Sequence, residues 1–255
     1  MAGLQPAAGG SGHAVHAQYR IEAFGLPVGE AKLVVELNGE TYTVNARGRT
    51  TGITRLFAEG SGNVNATGAL VDGVVKPAAF SQQFKEGDKK SSVDLVFAEN
   101  RVDDVVIDPA PRRRSLAKRV PVTEAHMRDV VDPVSALLAA MAGPPTGDEA
   151  TACEKTVRVF TGETRFDIRL HDKGTSRYRG GKRSFDGTAI VCGVEYVPVA
   201  GHKPDSKDVA FQVQNRDNEV WFARIGDVGL LVPVLWRLKF RPGKVEIALS
   251  EIEVR

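Results

Sequence analysis

Apolar and polar residues alternate in short runs separated by turn residues, and this pattern limits what the chain can fold into. Val15, Ala17, Tyr19, Ile21 and Ala23 stand against His16, Gln18, Arg20, Glu22 and Phe24, the period of a strand with one buried face. Gly25-Leu26-Pro27-Val28-Gly29 turns the chain, and Ala31, Leu33, Val35 and Leu37 resume the alternation. Asn38-Gly39 is a hairpin signal because both residues accept positive φ, and Tyr42, Val44 and Ala46 mark the next strand. Similar runs recur at 63–67, 73–76, 93–97 and 102–107. Regular spacing of this kind predicts one antiparallel meander.

The second half repeats the pattern around the two cysteines. Residues 155–160 and 166–171 alternate on either side of Thr161-Gly162-Glu163-Thr164, which reads as a hairpin, and 188–197 form a more continuously apolar strand after a polar turn region at 173–182. Cys153 and Cys192 are the only cysteines. A single pair without a CxxC spacing reads more readily as a disulfide than as a metal site, the alternative being two buried thiols. Alternation at 208–214 predicts a strand with Val209, Phe211 and Val213 inward. Another long strand is expected from Leu230 to Phe240, with an edge or bulge at Pro233. The parity slip between Leu249 and Ile252 predicts a bulge near Ser250.

One region is helical. Thr123 can cap a short turn, and Asp132-Pro133 supplies an N-cap followed by proline at the first helical position. Val134, Leu137, Leu138 and Met141 then share a face until Gly143-Pro144-Pro145 ends the helix. The fold class expected is therefore mainly β: one large curved antiparallel sheet, an open barrel or β-spiral, wrapped around a short central helix. Residues 15–255 read as a single domain with a helical insertion near 122–142. Residues 1–14 are expected to be a patternless tail remaining after removal of a signal peptide, since they carry neither a basic nor an apolar segment.

Composition excludes more than it assigns. Formal charge is only +2, which argues against nucleic acid as a partner. No apolar run approaches the roughly 18 residues of a membrane-spanning helix. The run Arg112-Arg113-Arg114 with Lys118-Arg119 reads as a solvated loop. His13, His16, His126, His171 and His202 are scattered without metal-ligand spacing, and no nucleophile elbow, phosphate loop or dinucleotide fingerprint is present. No catalytic residue, metal or cofactor is expected, and the chain is expected not to be an enzyme. Arg165 and Asp167 share one side of a strand, either as a polar rim for a headgroup or as a plain ion pair. The apolar cluster at Leu56 and Phe57 reads as a core plug or as a lid.

Five segments carry a family resemblance: Gly25-Leu26-Pro27-Val28-Gly29-Glu30-Ala31, 50–53, 131–138, 160–167, and 192–203 with Tyr196-Val197-Pro198-Val199-Ala200-Gly201-His202. Together they resemble the bacterial exported domain of unknown function family 3108, over nearly all the chain from Tyr19 onward. The resemblance implies a periplasmic protein with a sheet curved like the half-barrels of lipoprotein carriers. On that basis a lipid or hydrophobic small molecule is expected in the concave face, lined by Leu56, Phe57, Leu137, Leu138, Met141, Trp221 and Trp236. Two alternatives stand beside it: an envelope scaffold with a filled core that binds another envelope protein, and an unrecognised hydrolase. A monomer is expected.

Overall fold

The computed structural model describes residues 12–51, 60–143 and 151–255. Seven strands make a first meander: β1 (His13–Ala23), β2 (Leu26–Asn38), β3 (Thr41–Thr50), β4 (Gly60–Val71), β5 (Val74–Glu86), β6 (Lys89–Ala98) and β7 (Arg101–Asp108). Six make a second: β8 (Lys155–Phe160), β9 (Arg165–Arg179), β10 (Asp186–Ala200), β11 (Glu219–Arg224), β12 (Leu231–Lys239) and β13 (Lys244–Val254). β1 pairs with β13, so one antiparallel sheet of 13 strands runs from β7 through β1 and β13 to β8. The expected fold class is thus the observed one, with β1 starting two residues before the predicted Val15.

β7 and β8 are the free ends of the sheet, and their ladder does not close into a barrel. A strip of chain joins them at one level instead. Asp129 N–H donates to Asn100 O (2.7 Å), Val131 N–H to Arg158 O (2.9 Å) and Phe160 N–H to Val131 O (2.9 Å). The β8–β9 turn also lies against β6 and β7, where Gly162 is flanked by Val93, Leu95 and Ile107 side chains. Backbone groups at the sheet ends are satisfied in this way without full closure.

The long connection between the two meanders holds α1 (Arg113–Leu116), a 3₁₀ turn (Glu124–Met127) and α2 (Pro133–Met141). Asp132 caps α2 as its sequence predicts, its Oδ1 accepting from Val134 N–H (2.9 Å) and Ser135 N–H (2.8 Å). The helix is apolar nearly all round, the mark of a segment enclosed by other elements. It packs on β3, β4 and β5 from one meander and on β8 and β12 from the other, burying Ser135, Leu138 and Met141. A nine-residue helix has little stability of its own, so these contacts and its caps hold it.

Cys153 and Cys192 form a disulfide with Cα atoms 5.3 Å apart, and both are fully buried. Pro233 sits at a bulge where Trp221 opposes Leu235 but Phe222 opposes Pro233. Its ring also lies beyond the β12–β13 ladder, which begins at Leu235. Gln18 pairs with Glu251 and Tyr19 with Leu249, which leaves Ser250 as the bulged residue. Beside it, the tip of the β9–β10 hairpin reaches across to β13: Tyr178 and Ser184 hydroxyls donate to Leu249 O, and Ile252 N–H donates to Arg183 O.

Three local expectations are corrected. The segment predicted as a strand at 208–214 is a helix, α3 (Lys207–Gln214). Ser206 caps it, accepting from Val209 N–H, and Ala210 N–H bonds to Ser206 O; Asp208 in the first turn favours the same outcome through the helix dipole. β9 continues to Arg179 through the expected turn region, so the reversal is confined to residues 180–185. The basic loop contains the short α1, and Arg119 leaves it to pair with Glu163 (2.8 Å).

Candidate functional site

Two places merit consideration, the interior around α2 and the polar outer face of the first meander. Inside, the helix is tied at three points. Tyr42 on β3 shares a 2.6 Å hydrogen bond with Ser135 at mid-sheet. Asp132 holds the N-terminus, and the Lys155 ammonium donates to Ala139, Ala140 and Ala142 carbonyls at the C-terminus. A cation at that end satisfies orphan carbonyls and complements the dipole. Burial holds the Lys155 ammonium below the ordinary lysine range, and pushes the Asp132 carboxyl and the Tyr42 phenol up. Asp132 Oδ2 and His202 Nδ1 are buried without a hydrogen-bond partner.

Of the residues expected to line the concave face, the described ones all lie in the core or pack against it. Leu138 and Met141 are buried in the core, with Leu137 packed against it. Trp236 is partly buried against the core and meets Tyr19 edge to face at 5.2 Å, whereas Trp221 is itself a buried core residue. Trp221 lies one step out of phase: its indole N–H donates to Glu219 (3.1 Å) and the Arg237 guanidinium sits 4.8 Å over its ring. Alternation along β11 and β12 therefore places the two tryptophans on opposite faces of the sheet. Leu56 and Phe57 lie outside the described residues. Arg165 and Asp167 are paired with each other at 2.6 Å, both side chains largely shielded, so their charges are mutually satisfied.

A polar groove lies elsewhere. An open groove of about 1080 Å³ crosses the first meander near one end of its strands. Strand register explains its lining. Lys32 opposes Arg47, Arg47 opposes Asn63, Asn63 opposes Gln83, and Gln83 opposes Ser92. These side chains share parity opposite to the core residues Leu33 and Phe80, and so belong to the outer face. A second row runs parallel to it through Arg49, Ser61, Lys85 and Lys90. Arg49 pairs with Glu30, and Asp108 is the groove's other carboxylate.

A smaller cleft of about 690 Å³ runs beside α2, between the β4–β5 hairpin and β8. Val74, Val75, Val131, Ala139 and Val157 supply its apolar wall, with Asp129, Glu154 and Lys155 at its rim. Neither it nor the large groove is lined by Leu138, Met141 or Trp236. Among the described residues no three His, Cys, Asp or Glu side chains are placed to hold a metal ion, and no helix is long and apolar enough to cross a membrane.

Sequence reasoning missed the outer groove because most of its residues are ordinary polar positions in half-buried strands. Only pairing brings them into rows.

No curated protein matches the chain. Among solved structures it is similar to a beta-barrel-like protein of domain of unknown function DUF1849 from Brucella abortus, at 11% identity. That alignment covers 96% of this chain and 97% of the other with a TM-score of 0.47, a distant likeness. A family model described as protein of unknown function (DUF3108) matches residues 18–250. With its thirteen-stranded curved sheet and internal helix, the chain belongs to the DUF3108 family.

Proposed function

We propose that this is an exported, non-enzymatic binding or scaffold protein of the periplasm that engages its partner with its outer surface. The observation that carries the reading is the seating of α2. Bonded at both ends and through Ser135 to the sheet, the helix occupies the space that a carrier would leave for its cargo. The disulfide supports export, because such bonds persist in oxidising compartments. Fractionation of the native host, followed by native mass spectrometry of the purified protein, tests both parts. The expected result is periplasmic protein with the bare polypeptide mass, one disulfide and no bound lipid. A stoichiometric lipid would overturn it.

A second reading has one observation in its favour. The cleft beside α2 has an apolar wall of valines and alanines, the chemistry of a site for a hydrophobic or lipid-like ligand. The same mass spectrum separates the two readings.

A further inference from the structure

We infer that the groove across β2 to β6 is a binding site for an anionic oligosaccharide, a chain bearing carboxylate groups on successive sugars; the inference rests on the outer-surface reading above. The first argument is charge. Lys32 stands directly opposite Arg47, and Lys85 directly opposite Lys90. Like charges facing each other across a ladder oppose folding. None of these four has a hydrogen-bond or ion-pair partner among the described residues, whereas many other surface cations do, as at Arg237 with Glu246 and Arg216 with Glu195. With Arg49 they give the groove five cations against two carboxylates, Glu30 and Asp108, in a chain whose total charge is only +2. A concave surface of one sign concentrates its potential on whatever enters.

The second argument is what lies between the cations. Asn63, Gln83, Ser61 and Ser92 offer amides and hydroxyls, which both donate to and accept from hydroxyl groups. Free phosphate would need only the charges. A sugar polymer uses both kinds of group, and its repeat is comparable to the strand spacing of roughly 4.8 Å, so successive units can meet successive strands. Concavity argues against a bilayer, since a flat surface cannot reach a floor set at Gly48 and Gly62 below long side chains.

The test is calorimetric titration of the intact protein with a short oligogalacturonate, and with neutral dextran fragments and phosphatidylglycerol vesicles as separate arms. Binding to the oligogalacturonate alone is expected, weakening steeply with added salt. Lys85→Glu with Lys90→Glu should weaken it by at least about tenfold, and Lys32→Gln with Arg47→Gln should weaken it less. All four sites are surface exposed, and circular dichroism confirms folding of each variant. Binding no tighter than to dextran, preference for the vesicles, or affinity unchanged by the charge reversals would each overturn the inference. Failure here with a lipid-free mass spectrum removes the ligand and leaves the outer-surface reading; a co-purifying lipid removes that reading by itself.

Discussion

Removing the Cys153–Cys192 disulfide by Cys153→Ala with Cys192→Ala should weaken the fold and loosen α2 with it. The bond closes a loop across a separation of 39 residues, and loop-closure entropy for that length gives about 4 kcal/mol. At roughly 2 °C per kcal/mol for a chain of this size, the melting temperature should fall by about 8 °C. Cys153 also lies two residues before Lys155, whose ammonium caps α2. Lys155→Met keeps the stem but leaves the carbonyls without their cation, a loss of about 2 kcal/mol. If the disulfide is what positions the cap, the two losses are not independent. The combined variant should then be destabilised by less than their sum, by at least about 0.5 kcal/mol. Urea unfolding of the parent, both variants and the combination supplies all four corners of the cycle. A disulfide-free variant within about 1 kcal/mol of the parent would refute the entropic argument, and strict additivity would refute the coupling.

Asp132 is expected to give a pH signature. Its carboxyl is raised by burial, so the unfolded chain ionises first and stability falls as pH rises from roughly 4 through the raised value. Asp132→Asn keeps an acceptor for the cap without the charge, and the urea midpoint should lose that decline above roughly pH 4; an unaltered slope would assign it to other groups. Gly201 and Gly25 both have positive φ, but a Cβ at Gly201 would stand 2.0 Å from Glu163 O while one at Gly25 meets nothing within 4 Å. Gly201→Ala should therefore cost about 2 kcal/mol more than Gly25→Ala, and equal losses would mean that backbone strain alone matters. Val131→Pro removes the N–H that bonds to Arg158 O. Hydrogen exchange should then quicken at Asp129 and Phe160 while β1 and β13 stay protected; uniform loss would mean that the strip does not act locally.

The strands were legible because burial of one face imposes a period of two along each run, and the Asp132-Pro133 start of α2 because a cap acts within one turn. Ser250 shows how fine that reading can be, since a parity slip between Leu249 and Ile252 was enough to place a bulge. At 208–214 the same period misled. Seven residues with apolar groups at 209, 210, 211 and 213 fit a strand or a helix, and the cap at Ser206 with Asp208 behind it was the better guide. Trp221 and Trp236 belong to separate strands, and only the β11–β12 register puts them on opposite faces. The groove lay between these cases. Lys32 opposite Arg47 follows from symmetry about the Asn38–Thr41 pair, but extending the row to Gln83 crosses a bulge at Thr67 and Gly68 that no residue announces.

The adjacency of β1 and β13 has a consequence for how the molecule is made. Gln18 bonds to Glu251, 233 positions away, and this ladder is where the two meanders meet in the sheet. During synthesis the first seven strands appear long before the strand that will flank β1. Until then β1 is an open edge carrying Val15, Ala17 and Tyr19, able to template pairing with another chain. Closure of so distant a pair is slow. The nascent chain thus passes through a stage of sticky half-sheets, during which a holdase or prompt completion decides whether it matures or aggregates.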